Sequence, residues 1–64
     1  MDHEATGDSA RKERQNLGVS LRAFARMYGC SAMYISDMER GLRNWNKCKV
    51  AKYNATLEEL RKML

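Results

Sequence analysis

The sequence is poor in the residues that build metal sites and disulfide frameworks. Its 64 residues include two cysteines, one histidine and no proline. Cys30 and Cys48 stand eighteen positions apart, which fits neither a C-x-x-C signature nor a dense set of disulfides, and His3 lies in the polar N-terminal segment. We therefore expect no structural metal and no cofactor.

The chain also lacks the patterns of membrane, exported and catalytic proteins. No stretch approaches the roughly 20 apolar residues that a membrane span needs, and the first residues lack the basic and then apolar pattern of a signal peptide. Paired carboxylates in a plausible cleft, a glycine-rich phosphate loop and clustered ligands are all missing. We therefore expect a cytoplasmic protein that is not an enzyme. We also expect one small domain, because a chain of this length has room for a single core.

Charge is the informative part of the composition. Twelve Lys and Arg stand against eight Asp and Glu, which gives a net charge of +4. Residues 1–8 hold three acidic residues and no basic one, so the rest of the chain carries a net +7. A run without any acidic residue follows later and contains five basic ones: Arg40, Arg43, Lys47, Lys49 and Lys52. Such a basic field attracts polyanions, chiefly nucleic acid, with an anionic membrane as the rival.

Three short helices are predicted in the first forty residues, behind a flexible acidic tail over residues 1–8. They cover residues 9–17, 21–28 and 31–40, and each has a capping side chain before it and a glycine after it: Asp8 or Ser9 with Gly18, Ser20 with Gly29, and Ser31 with Gly41. Only three residues, one of them glycine, connect the second helix to the third. This pair is therefore a candidate helix-turn-helix.

The spacing of apolar residues predicts which faces of these helices point inward. Apolar residues recur at helical spacing in the second and third helices: Leu21, Phe24, Ala25 and Tyr28, then Ile35 and Met38. In the first helix, Arg14 shares a face with Ala10 and Leu17. An inward arginine requires an acidic partner.

The last part of the chain predicts a single long helix. From Asn46 onward there is no glycine or proline, and an apolar seam recurs at alternating steps of three and four: Val50, Tyr53, Leu57, Leu60 and Leu64. We expect a helix over residues 46–63, preceded by a loop over 42–45. A competing interpretation breaks the helix before Thr56, because Thr56 to Glu59 matches a capping box.

The candidate helix-turn-helix carries a more specific pattern. Ala25 is small where two helices would cross, Gly29 supplies a left-handed backbone, and Ile35 would plug the gap between the helices. With the run Ile-Ser-Asp-Met-Glu-Arg-Gly over residues 35–41, the segment over about 9–57 resembles the DNA-binding domain of the XRE family, the phage repressor and Cro type. The resemblance implies an all-α, compact, four- to five-helix repressor-like domain whose third helix recognises DNA.

The resemblance also implies roles for individual residues. Arg14 and Glu39 match the family's structural ion pair, which locks the recognition helix against the first helix. Base contacts are expected from five residues of the third helix: Ser31, Ala32, Met33, Ser36 and Asp37. Phosphate contacts are expected around the helix-turn-helix and the loop after it: Ser20, Arg22, Tyr34, Arg40, Arg43, Asn44 and Lys47.

Several of these side chains allow two interpretations. Trp45 either packs under the loop, which we favour, or lays its indole N–H against a phosphate. Met33 either packs against the protein or contacts a thymine methyl. Asp37 would repel phosphate unless it accepts a hydrogen bond from cytosine N4 or pairs with a neighbouring arginine. Cys30 is expected to be inert and Cys48 to be exposed.

The end of the apolar seam suggests a second copy of the chain. Leu57, Leu60 and Leu64 extend beyond the part of the helix that can close a small core, and we expect more apolar surface there than one domain can cover. Members of the resembled family dimerise through their C-terminal segments, so these three leucines are the expected homodimer interface. Such a dimer would bind an inverted repeat with half-sites roughly 34 Å apart.

We therefore expect a sequence-specific regulator of transcription that binds double-stranded DNA. The simplest form is a repressor of the phage or mobile-element type in a bacterial cell, associated with the nucleoid when bound. No small-molecule ligand is expected, because the chain is little larger than the binding module. The alternative is a protein-interaction module or an antitoxin-type protein that binds its partner through the C-terminal helix.

Overall fold

Four α-helices account for most of the chain. The computed structural model describes residues 2–64, and the helices within them are α1 (His3–Asn16), α2 (Leu21–Tyr28), α3 (Ala32–Glu39) and α4 (Lys47–Met63). They pack into a body of 30 × 19 × 19 Å. The all-α prediction is confirmed. Within the described residues, no helix has both the length and the apolar character needed to cross a membrane.

The first helix begins six residues earlier than the sequence predicts. Asp2 caps α1, since its carboxylate oxygen accepts hydrogen bonds from the backbone N–H groups of Glu4 and Ala5, each at 3.1 Å. The expected flexible tail over residues 1–8 is therefore helical from His3 onward, and neither Asp8 nor Ser9 is the cap. Met1, the first residue of that tail, lies outside the described residues.

Close contact with the end of α3 explains the longer α1. Gly7 is buried, and a Cβ atom there would lie 2.4 Å from the carbonyl oxygen of Met38 and 2.6 Å from that of Glu39. The missing side chain lets α1 lie directly on the last turn of α3. Gly41 also allows a close approach to α1, since a Cβ atom there would lie 2.6 Å from the Cα of Glu4. Its φ of 79° is a second reason for glycine at this position.

The two middle helices begin and end close to their predicted bounds. The hydroxyl oxygens of Ser20 and Ser31 accept hydrogen bonds from the backbone N–H groups of Ala23 and Tyr34, each at 3.1 Å. Gly29 ends α2 with a φ of 94°, and a Cβ atom there would meet nothing within 4 Å. Backbone conformation, rather than lack of space, therefore requires this glycine.

The last helix is continuous. The Thr56 hydroxyl donates to the carbonyl oxygen of Lys52, one turn earlier, at 2.9 Å, so Thr56 does not cap a new helix. The competing interpretation with a break at this residue is wrong. Asn46 provides the cap instead, because its side-chain oxygen accepts a hydrogen bond from the backbone N–H of Lys49 at 2.8 Å.

The core joins α2, α3 and α4. Phe24 and Met38 have no exposed surface, and the ring of Tyr53 lies 4.3 Å from that of Phe24, centre to centre. Trp45 packs against the same cluster, 5.5 Å from the ring of Tyr53, and its indole N–H donates to the carbonyl oxygen of Met38 at 2.8 Å. The favoured interpretation of Trp45 as a packing residue is confirmed.

Two leucines of the expected dimer interface lie inside this core. Leu57 is 4% exposed and Leu60 is 8% exposed, whereas Leu64 is 80% exposed. The expectation that one domain could not cover this seam is wrong for Leu57 and Leu60, because α1 and α2 both pack on α4, whereas Leu64 stays uncovered. In this fold Leu57 and Leu60 are not available to a second copy of the chain.

Candidate nucleic-acid interface

A buried ion pair fixes α3 against α1. The Nε and Nη2 atoms of Arg14 donate to the two carboxylate oxygens of Glu39, at 2.8 Å and 3.0 Å. Arg14 also donates to the carbonyl oxygen of Val19 at 2.8 Å, and the hydroxyl of Tyr53 donates to Glu39 at 2.7 Å. The two residues that the resemblance pairs are thus joined, and the structure adds two partners that the sequence did not indicate.

The network is fully satisfied and holds its protons tightly. The hydrogen bond to Glu39 raises the pKa of Arg14, while burial and the hydrogen bond to Glu39 raise the pKa of Tyr53 well above its usual range. Within residues 2–64, every buried side-chain nitrogen and oxygen has a hydrogen-bond partner. The network therefore joins three helices, and α1 and α4 together fix the orientation of α3 through Glu39.

The outer face of α3 carries the expected base-contact residues. This face carries Met33 and the residues three, four and seven positions after it, which are Ser36, Asp37 and the C-cap Arg40. Met33 is 70% exposed, so it does not pack into the core. Ser31 and Ala32 lie at the N-terminal end of the helix, as cap and first residue.

Two arginines converge on Asp37. One carboxylate oxygen accepts a hydrogen bond from Nη2 of Arg40 at 2.8 Å, and the other lies 3.8 Å from Nε of Arg43. The guanidinium of Arg43 also lies 5.2 Å from the centre of the Tyr34 ring. This set of four residues, which we call the Asp37 cluster, ties the loop after α3 to the outer face of the helix. Of the two interpretations, Asp37 pairs with neighbouring arginines.

The loop between α3 and α4 is held at two points. The backbone N–H of Trp45 donates to Nδ1 of His3 at 2.8 Å, and the Lys49 ammonium donates to the carbonyl oxygen of Asn44 at 2.8 Å. Trp45 is buried and fixes the end of the loop, whereas the side chains of Arg43 and Asn44 just before it are exposed to solvent. Sequence reasoning missed His3, because this contact spans 42 positions and leaves no local signal.

The remaining phosphate-contact candidates lie at helix starts. Ser20 and Arg22 are exposed at the beginning of α2, and Lys47 is the exposed first residue of α4. Helix N-termini favour anions, because their first N–H groups point away from the helix. The structure therefore gathers Tyr34, Arg40 and Arg43 into the Asp37 cluster, leaves Asn44 in the loop beside Arg43, and places Ser20, Arg22 and Lys47 at helix starts.

The two cysteines are free thiols. Cys30 is half-buried, and burial raises its pKa, while Cys48 is exposed on the first turn of α4. A raised thiol pKa lowers the thiolate fraction and with it the reactivity of Cys30. Among residues 2–64, no group of three or more His, Cys, Asp and Glu side chains is placed to hold a metal ion.

Comparison with known proteins adds one match. A family model described as helix-turn-helix matches residues 11–45, which is more than half of the chain. The matched stretch runs from within α1 through α2 and α3 to the buried Trp45. No curated protein and no solved structure matches the chain.

Proposed function

Because the chain belongs to the XRE-type helix-turn-helix family of DNA-binding transcription regulators, we propose that it is a sequence-specific repressor of the phage or mobile-element type. In this proposal α3 enters the major groove of double-stranded DNA. One observation carries it: the inner side of α3 is fixed by the buried pair of Arg14 and Glu39, while its outer face is open and continues into a basic loop.

The outer face of α3 supplies the base contacts in this proposal. Met33 offers an exposed apolar side chain to thymine methyl groups, and Ser36 can donate to or accept from a base edge. Ser31 and Ala32 would approach the groove with the first turn of the helix, and Asp37 would accept from a base amino group. Few of these side chains form two hydrogen bonds to one base, so the shape of the DNA contributes to selectivity as well.

Phosphate contacts in this proposal surround that face. The loop residues Arg43 and Asn44 lie on one side. Arg40 and Lys47 are close to them in the chain, and the ring of Tyr34 contacts Arg43. Ser20 and Arg22 would hold a phosphate at the start of α2. These contacts are expected to set affinity for any duplex, whereas the residues on α3 set the preference among sequences.

We further propose that the repressor binds an inverted repeat as a symmetric dimer. Since Leu57 and Leu60 are buried, the apolar surface left at the end of α4 consists of Met63 and Leu64, which are 70% and 80% exposed. Sedimentation at tens of micromolar should show a dimer on DNA. A monomer, both free and bound, would contradict this part of the proposal. The same burial makes Leu57 and Leu60 unavailable to an antitoxin-type partner as well.

Selection of bound fragments from random DNA tests the function directly. We expect a recovered site with two-fold symmetry and half-sites roughly 34 Å apart. Arg43→Ala should weaken binding to every sequence and flatten the slope of log affinity against log salt by about one unit. Arg61→Ala, which removes an exposed arginine near the end of α4, is the matched control and should change neither.

A second pair of variants tests base reading. Met33→Ala and Ser36→Ala should change the ranking of sites more than the overall affinity, because these side chains lie on the outer face of α3. Equal losses on all sequences would show that α3 does not read bases in the proposed way.

A further inference from the structure

Asp37 is the acidic side chain on the face of α3 that would meet DNA. The other carboxylate of this helix, Glu39, is buried in the pair with Arg14. A carboxylate on this outer face repels phosphate, so by itself it lowers affinity for any DNA. Yet Asp37 holds two arginines, and both of them are about half exposed and close to the proposed phosphate contacts.

The Asp37 cluster sets up a competition. On DNA of any sequence, Arg40 and Arg43 gain phosphate contacts only by giving up part of their interaction with Asp37. The carboxylate then stands unpaired in a field of phosphates, which is unfavourable unless another donor takes the place of the arginines. In the major groove the donor that suits a carboxylate is the N4 amino group of cytosine.

We propose that Asp37 is a specificity-determining residue that competes with phosphate for Arg40 and Arg43, and that this competition is relieved at sites that present a cytosine amino group to it. The inference rests on the proposed function and deepens it, because it names one base of the site and the penalty against other sites. On a matching site the base amino group pairs with Asp37 and both arginines move to phosphates. On other DNA the carboxylate still competes for both arginines, so their phosphate contacts are weaker.

The decisive variant is Asp37→Asn, compared with Glu58→Gln. Both changes raise the net charge by one, and both remove a carboxylate that pairs with an arginine three positions away. Glu58 lies on α4 and is not among the residues proposed to contact DNA. Glu58 is exposed, whereas the Asp37 side chain is only 18% exposed. Asp37→Asn keeps the size of that side chain, and the arginines it pairs with are about half exposed, so neither change should unfold the protein; circular dichroism and thermal melting check this.

Two DNA probes separate specificity from affinity. One is the duplex that the wild-type protein selects from random DNA, and the other is a scrambled duplex of the same length and composition. For Asp37→Asn we expect binding to the scrambled duplex to tighten by on the order of tenfold, with a salt slope steeper by about 0.9 for each phosphate gained. The ratio of affinity for the selected duplex to affinity for the scrambled duplex should fall by about tenfold or more. Glu58→Gln should change both affinities by the same small factor.

A double-mutant cycle checks that the freed arginines cause the effect. Arg43→Ala should cost more affinity for the scrambled duplex in the Asp37→Asn background than in the wild type, because there Asp37 no longer competes with phosphate for the arginine. Equal costs in both backgrounds, or equal behaviour of Asp37→Asn and Glu58→Gln, would overturn the inference and leave the proposed function standing. A wild-type protein without salt-dependent binding to any duplex would overturn both.

Discussion

Glu39 is the side chain whose change should cost the most stability. Glu39→Gln keeps the size of the side chain but removes the charge that faces Arg14, and these side chains are 2% and 8% exposed. Breaking a buried ion pair from one side costs about 3–5 kcal/mol, because the remaining charge stays buried without a partner. A domain of this size has a total free energy of unfolding of roughly 3–10 kcal/mol. We therefore expect the variant to lose about a third of its stability or more.

Urea denaturation measures this loss well, because the single tryptophan, Trp45, is buried and reports on the core. The midpoint should fall far below that of the wild type, with circular dichroism following the same transition. Glu58→Gln, which removes an exposed ion pair, should change the free energy of unfolding by about 0.5 kcal/mol or less. The double variant Arg14→Met with Glu39→Met should recover most of the loss, since no unpaired charge remains.

A small effect of Glu39→Gln would refute this reasoning. If the free energy of unfolding fell by less than about 1 kcal/mol, the charge on Arg14 would have to be stabilised by water or by the carbonyl of Val19 alone. The buried pair would then not be what holds α3 in place for DNA.

Three further predictions follow from other contacts. The wild type should lose stability above about pH 10, where Tyr53 ionises in the unfolded chain but stays protonated in the fold; Tyr53→Phe should lack this part of the loss in urea titrations at pH 9 and 11. Gly7→Ala should destabilise by about 1–3 kcal/mol, although helix propensity favours alanine, because the new methyl group meets two carbonyl oxygens. His3→Ala should cost about 1 kcal/mol and speed amide exchange at Trp45.

Each of these has an outcome that contradicts it. An unchanged alkaline loss in Tyr53→Phe would show that other groups cause it. A gain of stability in Gly7→Ala, like the gain expected for the exposed Ser9→Ala control, would mean that α1 does not lie on α3 as described. An amide exchange rate at Trp45 that is unchanged in His3→Ala would show that His3 does not stabilise the loop.

The middle of the fold was predictable because its signals are local. Ser20, Ser31 and Gly29 mark helix ends through contacts with residues a few positions away, and the short turn between α2 and α3 leaves one arrangement of that pair. The inward position of Arg14 indicated that it needs an acidic partner, and the family resemblance named Glu39, to which the structure joins it.

The two ends of the chain were not predictable in the same way. The first turns of α1 depend on contact between Gly7 and the carbonyl groups of α3, and a glycine by itself indicates a weak helix. At the other end, periodicity shows that Leu57 and Leu60 share a face of α4 but not what covers that face. For the binding surface, the sequence indicated the residues of the Asp37 cluster, but only the structure shows that Asp37 holds both arginines.

Mapping the DNA contacts by nuclear magnetic resonance is the most direct measurement of whether α3 and the loop after it bind duplex DNA. Titration of the ¹⁵N-labelled protein with the selected duplex should shift the amide signals of α3, of the loop around Arg43 and of the starts of α2 and α4. These shifts should saturate and should weaken as salt is added. Signals from the outer side of α1, such as that of Lys12, should stay in place. Shifts confined to the second half of α4, or none in α3 at low salt, would contradict the proposed interface.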